Sequence, residues 1–195
     1  MKRVLSIQDI SCIGKCSLTV ALPIISAMGI ETSILPTSIL STHTMFNDFT
    51  FRDLTDDMEP IKKHWQKEGF SFDAIYTGYL GSEKQITLVK DYFKTFGNTC
   101  KYIIVDPAMA DNGKLYSGFD KDFPLKMAKL CKYADVILPN ISEAAFMTGM
   151  PYPGENASNE CIKDLLLSLA KLGSKKIVIT GVESADHKFG FMGYD

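Results

Sequence analysis

Two carboxylates stand where an α/β chain would turn them toward a ligand. Asp106 follows the apolar run 102–105 and precedes Pro107, which keeps a helix from starting at once. Its side chain should point into the crevice beyond a strand end, where it could anchor Mg²⁺ and its waters. Five residues on, Asp111 opens Asp111-Asn112-Gly113, in which a carboxylate can either face a ligand or close an Asx turn. Asn140-Ile141-Ser142-Glu143 carries a similar double meaning. Asn at the N-cap and Glu three residues later spell a capping box, a complete structural explanation. The same helix N-terminus suits phosphate, and the glutamate could hold metal-bound water against it. Ser41-Thr42-His43-Thr44 offers four hydrogen-bonding side chains; with no acid in that run to orient it, His43 reads as a hydrogen-bonding or stacking group. His64, in a charged helix, and His187, in a polar turn, read as peripheral.

Several chemistries lack their motifs. After the first apolar run Gly14 stands without the other glycines of GxGxxG, and no G-x-x-x-x-G-K-[ST] occurs, which argues against a dinucleotide oxidoreductase and a P-loop NTPase. No G-x-S-x-G elbow supports a serine hydrolase. The five cysteines (Cys12, Cys16, Cys100, Cys131, Cys161) are odd in number and form no CxxC pair, so neither a disulfide framework nor a zinc site is expected.

The elements that must position these residues follow from periodicity. Short apolar runs at 4–7, 32–35, 74–76, 102–105, 136–138 and 177–179, with a further strand near 189–192, alternate with helical patterns. The runs are continuous, as in strands buried on both faces, so the class is α/β with a mainly parallel central sheet flanked by helices on both faces. Ser82-Glu83-Lys84-Gln85 reads as a capping box for a helix whose stripe is Ile86, Val89, Phe93 and Phe96. A second stripe is Ile162, Leu165, Leu166, Leu169 and Leu172, and a helix over 16–28 must kink at Pro23 or start late. The 195 residues predict one domain, within which 36–55, rich in Thr and Phe and without periodicity, reads as a lid or substrate-binding loop. Lys plus Arg is 21 against 23 Asp plus Glu, a net charge of −2 without a basic stripe, which argues against nucleic acid. The most apolar stretch, 20–30, is broken by Pro23, Ser26 and Gly29, and the first residues are too short for a signal peptide, so no membrane partner and a cytoplasmic location are expected.

Five motifs in order give a resemblance over residues 1–180. They are Ile7-Gln8-Asp9-Ile10-Ser11 with Gly14, Leu40-Ser41-Thr42-His43-Thr44, Thr77-Gly78-Tyr79-Leu80-Gly81-Ser82, Asp106-Pro107-Ala108-Met109-Ala110-Asp111, and Leu138-Pro139-Asn140-Ile141-Ser142-Glu143. Together they resemble the pyridoxal/pyridoxamine kinases of the ribokinase-like superfamily. The resemblance implies a ribokinase-like fold and ATP- and Mg²⁺-dependent phosphorylation of the 5′-hydroxymethyl group of pyridoxal, pyridoxine or pyridoxamine. It implies that Asp9, Thr44 and Tyr79 face the vitamin. Asp106 and Glu143 would hold the metal through water, Asp111, Asn140 and Thr180 would face the ATP phosphates, and Tyr116 would lie between the two substrates. Those roles suit phosphoryl transfer, which rests on positioning and charge neutralisation. Three departures stand out. Asp9 occupies a position that is serine in many members, so a carboxylate here could pair with a protonated ring nitrogen or an amine. Ala110 replaces a glycine. The C-terminal G-[TV]-G-D motif that carries the family's catalytic aspartate is absent, so that residue is expected beyond residue 195 and the chain alone is expected to turn over little. Hydroxymethylpyrimidine kinase is the alternative enzyme; a non-catalytic ligand-binding or oligomerisation module is the alternative of another class, and a homodimer stays open.

Overall fold

Apolar runs with no polar face to give to water become the strands of mainly parallel sheets, and the amphipathic stretches between them become the covering helices. The class is mixed α/β, as the alternation predicts. The structure, a computed structural model, describes residues 1–154, 157–183 and 189–195; His187 lies outside the described residues. The chain forms two compact units, Met1–Ile103 and Ile104–Asp195. No helix among the described residues is long and apolar enough to cross a membrane.

The first unit contains β1 (Arg3–Ser11), α1 (Leu18–Ala27), β2 (Glu31–Leu40), β3 (Phe51–Asp53), α2 (Thr55–Lys67), β4 (Ala74–Thr77) and α3 (Glu83–Phe96). Its strands lie in the order β4-β1-β2-β3. β1 is parallel to both neighbours, and β3 runs antiparallel to β2. The chain therefore leaves β1 toward β2 on one side and returns to β4 on the other, which makes the carboxyl end of β1 a topological switch point. α1 does start late, at Leu18, and carries Pro23 inside it.

Residues 36–55 are not one loop. β2 continues to Leu40 and pairs with β3 through Ser38↔Asp53, Ile39↔Arg52 and Leu40↔Phe51, so only 41–50 is irregular. The apolar run ends at Leu35, but Thr37 and Ser38 are buried polar residues on a strand whose register with β1 shifts between Gln8↔Pro36 and Ile10↔Ile39. One residue of β1, Asp9, thus lies opposite two of β2, a bulge of the kind that re-aims side chains next to sites.

The expected capping box of α3 is half realised. Ser82 Oγ accepts from Gln85 N at 3.2 Å, as an N-cap should. The Gln85 side chain passes the N-cap and accepts from Gly81 N at 2.8 Å, while its Nε2 donates to Thr37 O at 3.0 Å and Thr55 Oγ1 at 2.9 Å and reaches Asp53 Oδ1 at 3.2 Å. One buried amide therefore fastens the loop after β4 to the base of the β2–β3 hairpin. Behind it, Trp65, Phe72, Tyr92 and Phe96 pack edge to face.

The second unit takes β5 (Tyr102–Val105) from the end of the first and continues through β6 (Ala110–Asp111), β7 (Lys114–Leu115), α4 (Phe123–Cys131), β8 (Val136–Ile137), α5 (Ile141–Thr148), α6 (Asn159–Lys171), β9 (Lys176–Glu183) and β10 (Phe189–Tyr194). β5, β8 and β9 are parallel and adjacent in that order, with β10 antiparallel outside β9. The stripe Ile162, Leu165, Leu166 and Leu169 is buried; Leu172 stands past the end of α6 as its C-cap.

Replacing Gln85 by Ala removes four side-chain hydrogen bonds and leaves Gly81 N without its acceptor. The variant should lose about 2 kcal/mol of stability, read as a lower midpoint in urea at unchanged slope.

Candidate functional site

Both units turn the polar ends of their parallel strands into a chemical surface. In the first unit the bulge brings Asp9 to the carboxyl end of β1 with its side chain inward; the residue is 5% exposed. Its Oδ2 accepts from Ser11 Oγ at 3.4 Å, whereas Oδ1 has no hydrogen-bond partner among the described residues. Burial raises its pKa above the ordinary value. Ser17, its own backbone and Ser11 pull the other way. Among the described residues, none of the groups acting on it is a cation. Three more buried oxygens of the same unit lack a partner among the described residues: Ser38 Oγ on β2, Thr42 Oγ1 just after it, and Thr77 Oγ1 at the end of β4. Register puts Thr77 beside Ile7 and Ser38 in the bulge opposite Asp9.

Tyr79 follows β4 and is half-buried. Burial raises its phenol, and the negative charges of Asp9 and Asp53 raise it further, so the ring stands within electrostatic reach of both. Thr44 is exposed in the loop 41–50; the buried hydroxyl of that segment is Thr42 instead. His43 donates its backbone N–H to Ile13 O at 3.2 Å and lays its ring on Gly14, where a Cβ would come within 2.2 Å of the imidazole. The glycine admits the ring, and His43 is a packing group here.

In the second unit a cavity of about 270 Å³ opens at the N-terminus of α5, lined by Asp111, Asn140 and Thr180 together with Ser142, Tyr152 and Phe189. Asn140 Oδ1 accepts from Glu143 N at 2.9 Å and Glu143 Oε2 from Asn140 N at 2.8 Å, so the capping box is complete. The same short run also holds the preceding loop. Glu143 Oε1 accepts from Met109 N at 3.1 Å, Asn140 Nδ2 donates to Ala110 O at 2.8 Å, and Ser142 Oγ accepts from Gly113 N at 2.8 Å. That loop is a hairpin in which Asn112 and Gly113 both have positive φ, 48° and 69°, as a type I′ turn requires. Tyr152 packs on Gly113, where a Cβ would meet its ring at 2.5 Å. Thr180 lies alongside Asn140, with Thr180 N donating to Pro139 O at 2.9 Å. Tyr116 follows the hairpin, half-buried, with its N–H on Met109 O, and is not among the described residues lining the cavity.

Asp106 and Glu143 form the electrostatic focus of this unit. Glu143 is 3% exposed; burial and then the charge of Asp106 push its carboxyl well above the usual range, against donation from the Asn140, Met109 and Ala110 amides. Two carboxylates that raise each other's cost in a buried setting favour a cation between or beside them. Among the described residues no group of three or more His, Cys, Asp or Glu could hold a metal ion. Two carboxylates fit Mg²⁺ all the same, since it keeps several waters and takes phosphate oxygens as further ligands. Ser142 stands inside the 140–143 run, but its bond to Gly113 depends on where a distant turn lies, and Tyr152 has no signal in the sequence because packing on a backbone sets its place.

A family model, phosphomethylpyrimidine kinase, matches residues 31–190. Among solved structures, pyridoxal kinase from Lactobacillus plantarum is 35% identical with a TM-score of 0.89, covering 100% of this chain and 69% of its own. A Bacteroides thetaiotaomicron protein assigned to the phosphomethylpyrimidine kinases and crystallised with pyridoxal is 42% identical with a TM-score of 0.88, over 95% of this chain and 64% of its own. Pyridoxal kinase PdxY from Actinobacillus pleuropneumoniae is 27% identical over 92% of this chain and 63% of its own. The chain thus spans less than two thirds of the last two.

A carboxylate whose pKa is raised on folding contributes its full stability when protonated, below its ordinary value of 3.8, and loses it as pH rises through the folded value. Asp9→Asn, which cannot ionise, should therefore melt higher than wild type at pH 8, by about 2–4 °C. The gap should close as the pH falls below 3.8. Thermal melts of the two ligand-free proteins across pH 3–8 provide the comparison; equal melting temperatures at pH 8 would exclude an uncompensated charge.

Proposed function

Since the chain belongs to the phosphomethylpyrimidine kinase family, we propose that it serves ATP-dependent phosphorylation of the 5′-hydroxymethyl group of a vitamin B6 vitamer. The observation that carries this is the cavity at the N-terminus of α5, where Asp111, Asn140 and Thr180 converge. Helix N-termini favour phosphate through their free amides and dipole, and the clamp from Asn140, Ser142 and Glu143 to the 109–113 backbone fixes the cavity wall before any ligand arrives. Asp111, Asn140 and Thr180 would face the nucleotide phosphates, with Tyr116 close by. Asp9 and Tyr79, with the lid segment that contains Thr44, would hold the vitamin. The solved Bacteroides relative with pyridoxal, at 42% identity, supports that choice of substrate.

In the reaction the hydroxymethyl oxygen forms a bond to the γ-phosphorus as the bond from that phosphorus to the ADP oxygen breaks, and the hydroxyl proton passes to a general base or to solvent water. A bound Mg²⁺ supplies neutralisation of the phosphate charge. Asp106 and Glu143 would hold it through water, and their mutual repulsion would then turn into attraction for the cation. Small molecules are the partners in this account, and the cytoplasm, where ATP is at hand, is its setting. Hydroxymethylpyrimidine is the second substrate to consider, because the matching family model is that of phosphomethylpyrimidine kinase and a Haemophilus influenzae hydroxymethylpyrimidine/phosphomethylpyrimidine kinase is 30% identical over 60% of this chain.

Binding calorimetry tests the proposal directly on the substrate sites. The chain should bind ATP in a Mg²⁺-dependent manner and bind pyridoxal, pyridoxine or pyridoxamine more tightly than hydroxymethylpyrimidine. Asp106→Asn should weaken Mg²⁺-dependent ATP binding at least tenfold, or about 1.4 kcal/mol, with an unchanged circular dichroism spectrum. ATP binding that ignores both Mg²⁺ and this substitution would refute the metal assignment.

A further inference from the structure

The outer strands of the two units are guarded unequally. β3 is three residues long and carries Arg52 and Asp53, and short, charged edges of that kind discourage further pairing. β10 has six residues and no charge: Phe189-Gly190-Phe191-Met192-Gly193-Tyr194. It pairs with β9 on its inner side, and no strand lies beyond it among the described residues. A strand paired on one side only turns the N–H and C=O groups of alternate residues outward. Beside that bare backbone Phe189 is 79%, Phe191 74% and Tyr194 41% exposed. The two glycines of β10 serve no need of a single copy. Neither has a positive φ; a Cβ on Gly190 would meet nothing within 4 Å, and one on Gly193 only Ile177 O at 3.5 Å, an ordinary contact. The bulge of this hairpin falls on Gly181 of β9, with φ 68°, and not on them. Glycine inside a strand weakens it and often marks a place where another part of a chain comes close.

We propose that β10 is a docking strand for a second copy of this chain: two β10 strands pair antiparallel about a two-fold axis at Met192 and join their sheets edge to edge. The strand is complementary to itself in that register. With Met192 opposite the partner's Met192, Phe191 stands opposite the partner's Gly193 and Tyr194 opposite the partner's Gly190, each contact occurring twice by symmetry. Residues opposite one another share a face of the sheet, so each ring lies over backbone that a glycine leaves bare. Sliding the partner by one residue sets glycine against glycine in one direction and moves both glycines off the rings in the other. Because the contact uses the same strand on both sides, it closes on itself and yields a dimer instead of a filament. At 150–250 Å² per ring, the exposed parts of Phe189, Phe191 and Tyr194 come to about 400 Å² per copy. That is the small end of specific interfaces, which makes the dimer weak and dependent on concentration. The pairing needs no ligand, so its failure would leave the proposed reaction untouched.

Sedimentation equilibrium of the full 195-residue chain over about 1–500 µM tests the proposal. The mass should rise from one copy to two and stop there. Phe191→Lys, at a side chain that one copy leaves in water, should keep the circular dichroism spectrum and weaken association at least tenfold, since an edge lysine opposes strand pairing. Met192→Cys reads the register. Opposite residues of an antiparallel pair have Cα atoms about 4.5–5.5 Å apart, within reach of a disulfide. Oxidised glutathione should therefore link the two copies at position 192, the two thiols giving up their hydrogens as two molecules of reduced glutathione leave. Peptide mapping identifies that link against any formed by the exposed Cys12 and Cys161. A chain that stays monomeric throughout the range overturns the inference, as does mass that grows past two copies without limit. A dimer indifferent to Phe191→Lys, or one in which position 192 never joins its counterpart, places the contact on another surface and overturns it equally.

Discussion

The second unit depends on one carboxylate. Glu143 is buried at the first turn of α5, and each of its oxygens accepts a backbone N–H, one from Asn140 at the start of its own helix and one from Met109 in the loop after β5. The side chain thereby caps a helix and pins a loop with the same charge. Asn140 and Ser142 add their own bonds to Ala110 and Gly113, so three side chains within one four-residue run fix where the β6–β7 hairpin stands. Without that clamp the wall containing Asp111 would be free to drift, and the cavity would have no fixed shape to offer a phosphate. The arrangement costs electrostatic energy, since Asp106 repels Glu143 in a setting that already disfavours charge. A structural role and an affinity for cations therefore follow from the same burial.

Gln85 plays a comparable part in the first unit with a neutral side chain. Its amide joins Gly81, Thr37, Asp53 and Thr55, which belong to three separate stretches of chain. Lowered by hydrogen bonds from Thr55 and Gln85 and by Lys84 despite its partial desolvation, Asp53 keeps its charge and helps to raise the phenol of Tyr79. The two clamps differ in what they leave over. Glu143 has spent both oxygens on amides, whereas Asp9, a buried acid of the first unit, keeps one oxygen without a hydrogen-bond partner among the described residues.

Much of this was legible in the sequence, and the exceptions have physical causes. Continuous apolar runs announced the parallel strands, because residues buried on both faces leave no alternation to confuse. The extension of β2 is hidden from periodicity because Thr37 and Ser38 are polar residues buried on a bulge, and a polar side chain kept inward breaks the apolar pattern. Asn112-Gly113 is a strong hairpin signal, yet with strands of two residues on either side it read as a loop. At Ser82 the sequence specified a cap and a glutamine at the right spacing, but which amide the glutamine would choose depended on where β2 came to lie. For Asn140 and Glu143 it gave two meanings, and the geometry fulfils the capping one in full while leaving the carboxylate beside Asp106. Cavity residues such as Tyr152 had no signal, since their place is set by packing between segments distant in sequence.

Gly113 offers a final consequence, for how this chain can vary. Its φ of 69° belongs to a backbone region that side chains rarely enter, and its missing Cβ is also the space that the Tyr152 ring occupies. The two constraints are independent. Shrinking Tyr152 would make room for a side chain but would leave the dihedral unfavourable; relaxing the dihedral would unmake the turn whose N–H is held by Ser142. A single compensating substitution cannot relieve both, so the evolutionary route away from glycine at this position is closed in small steps and open only to a replacement of the whole hairpin.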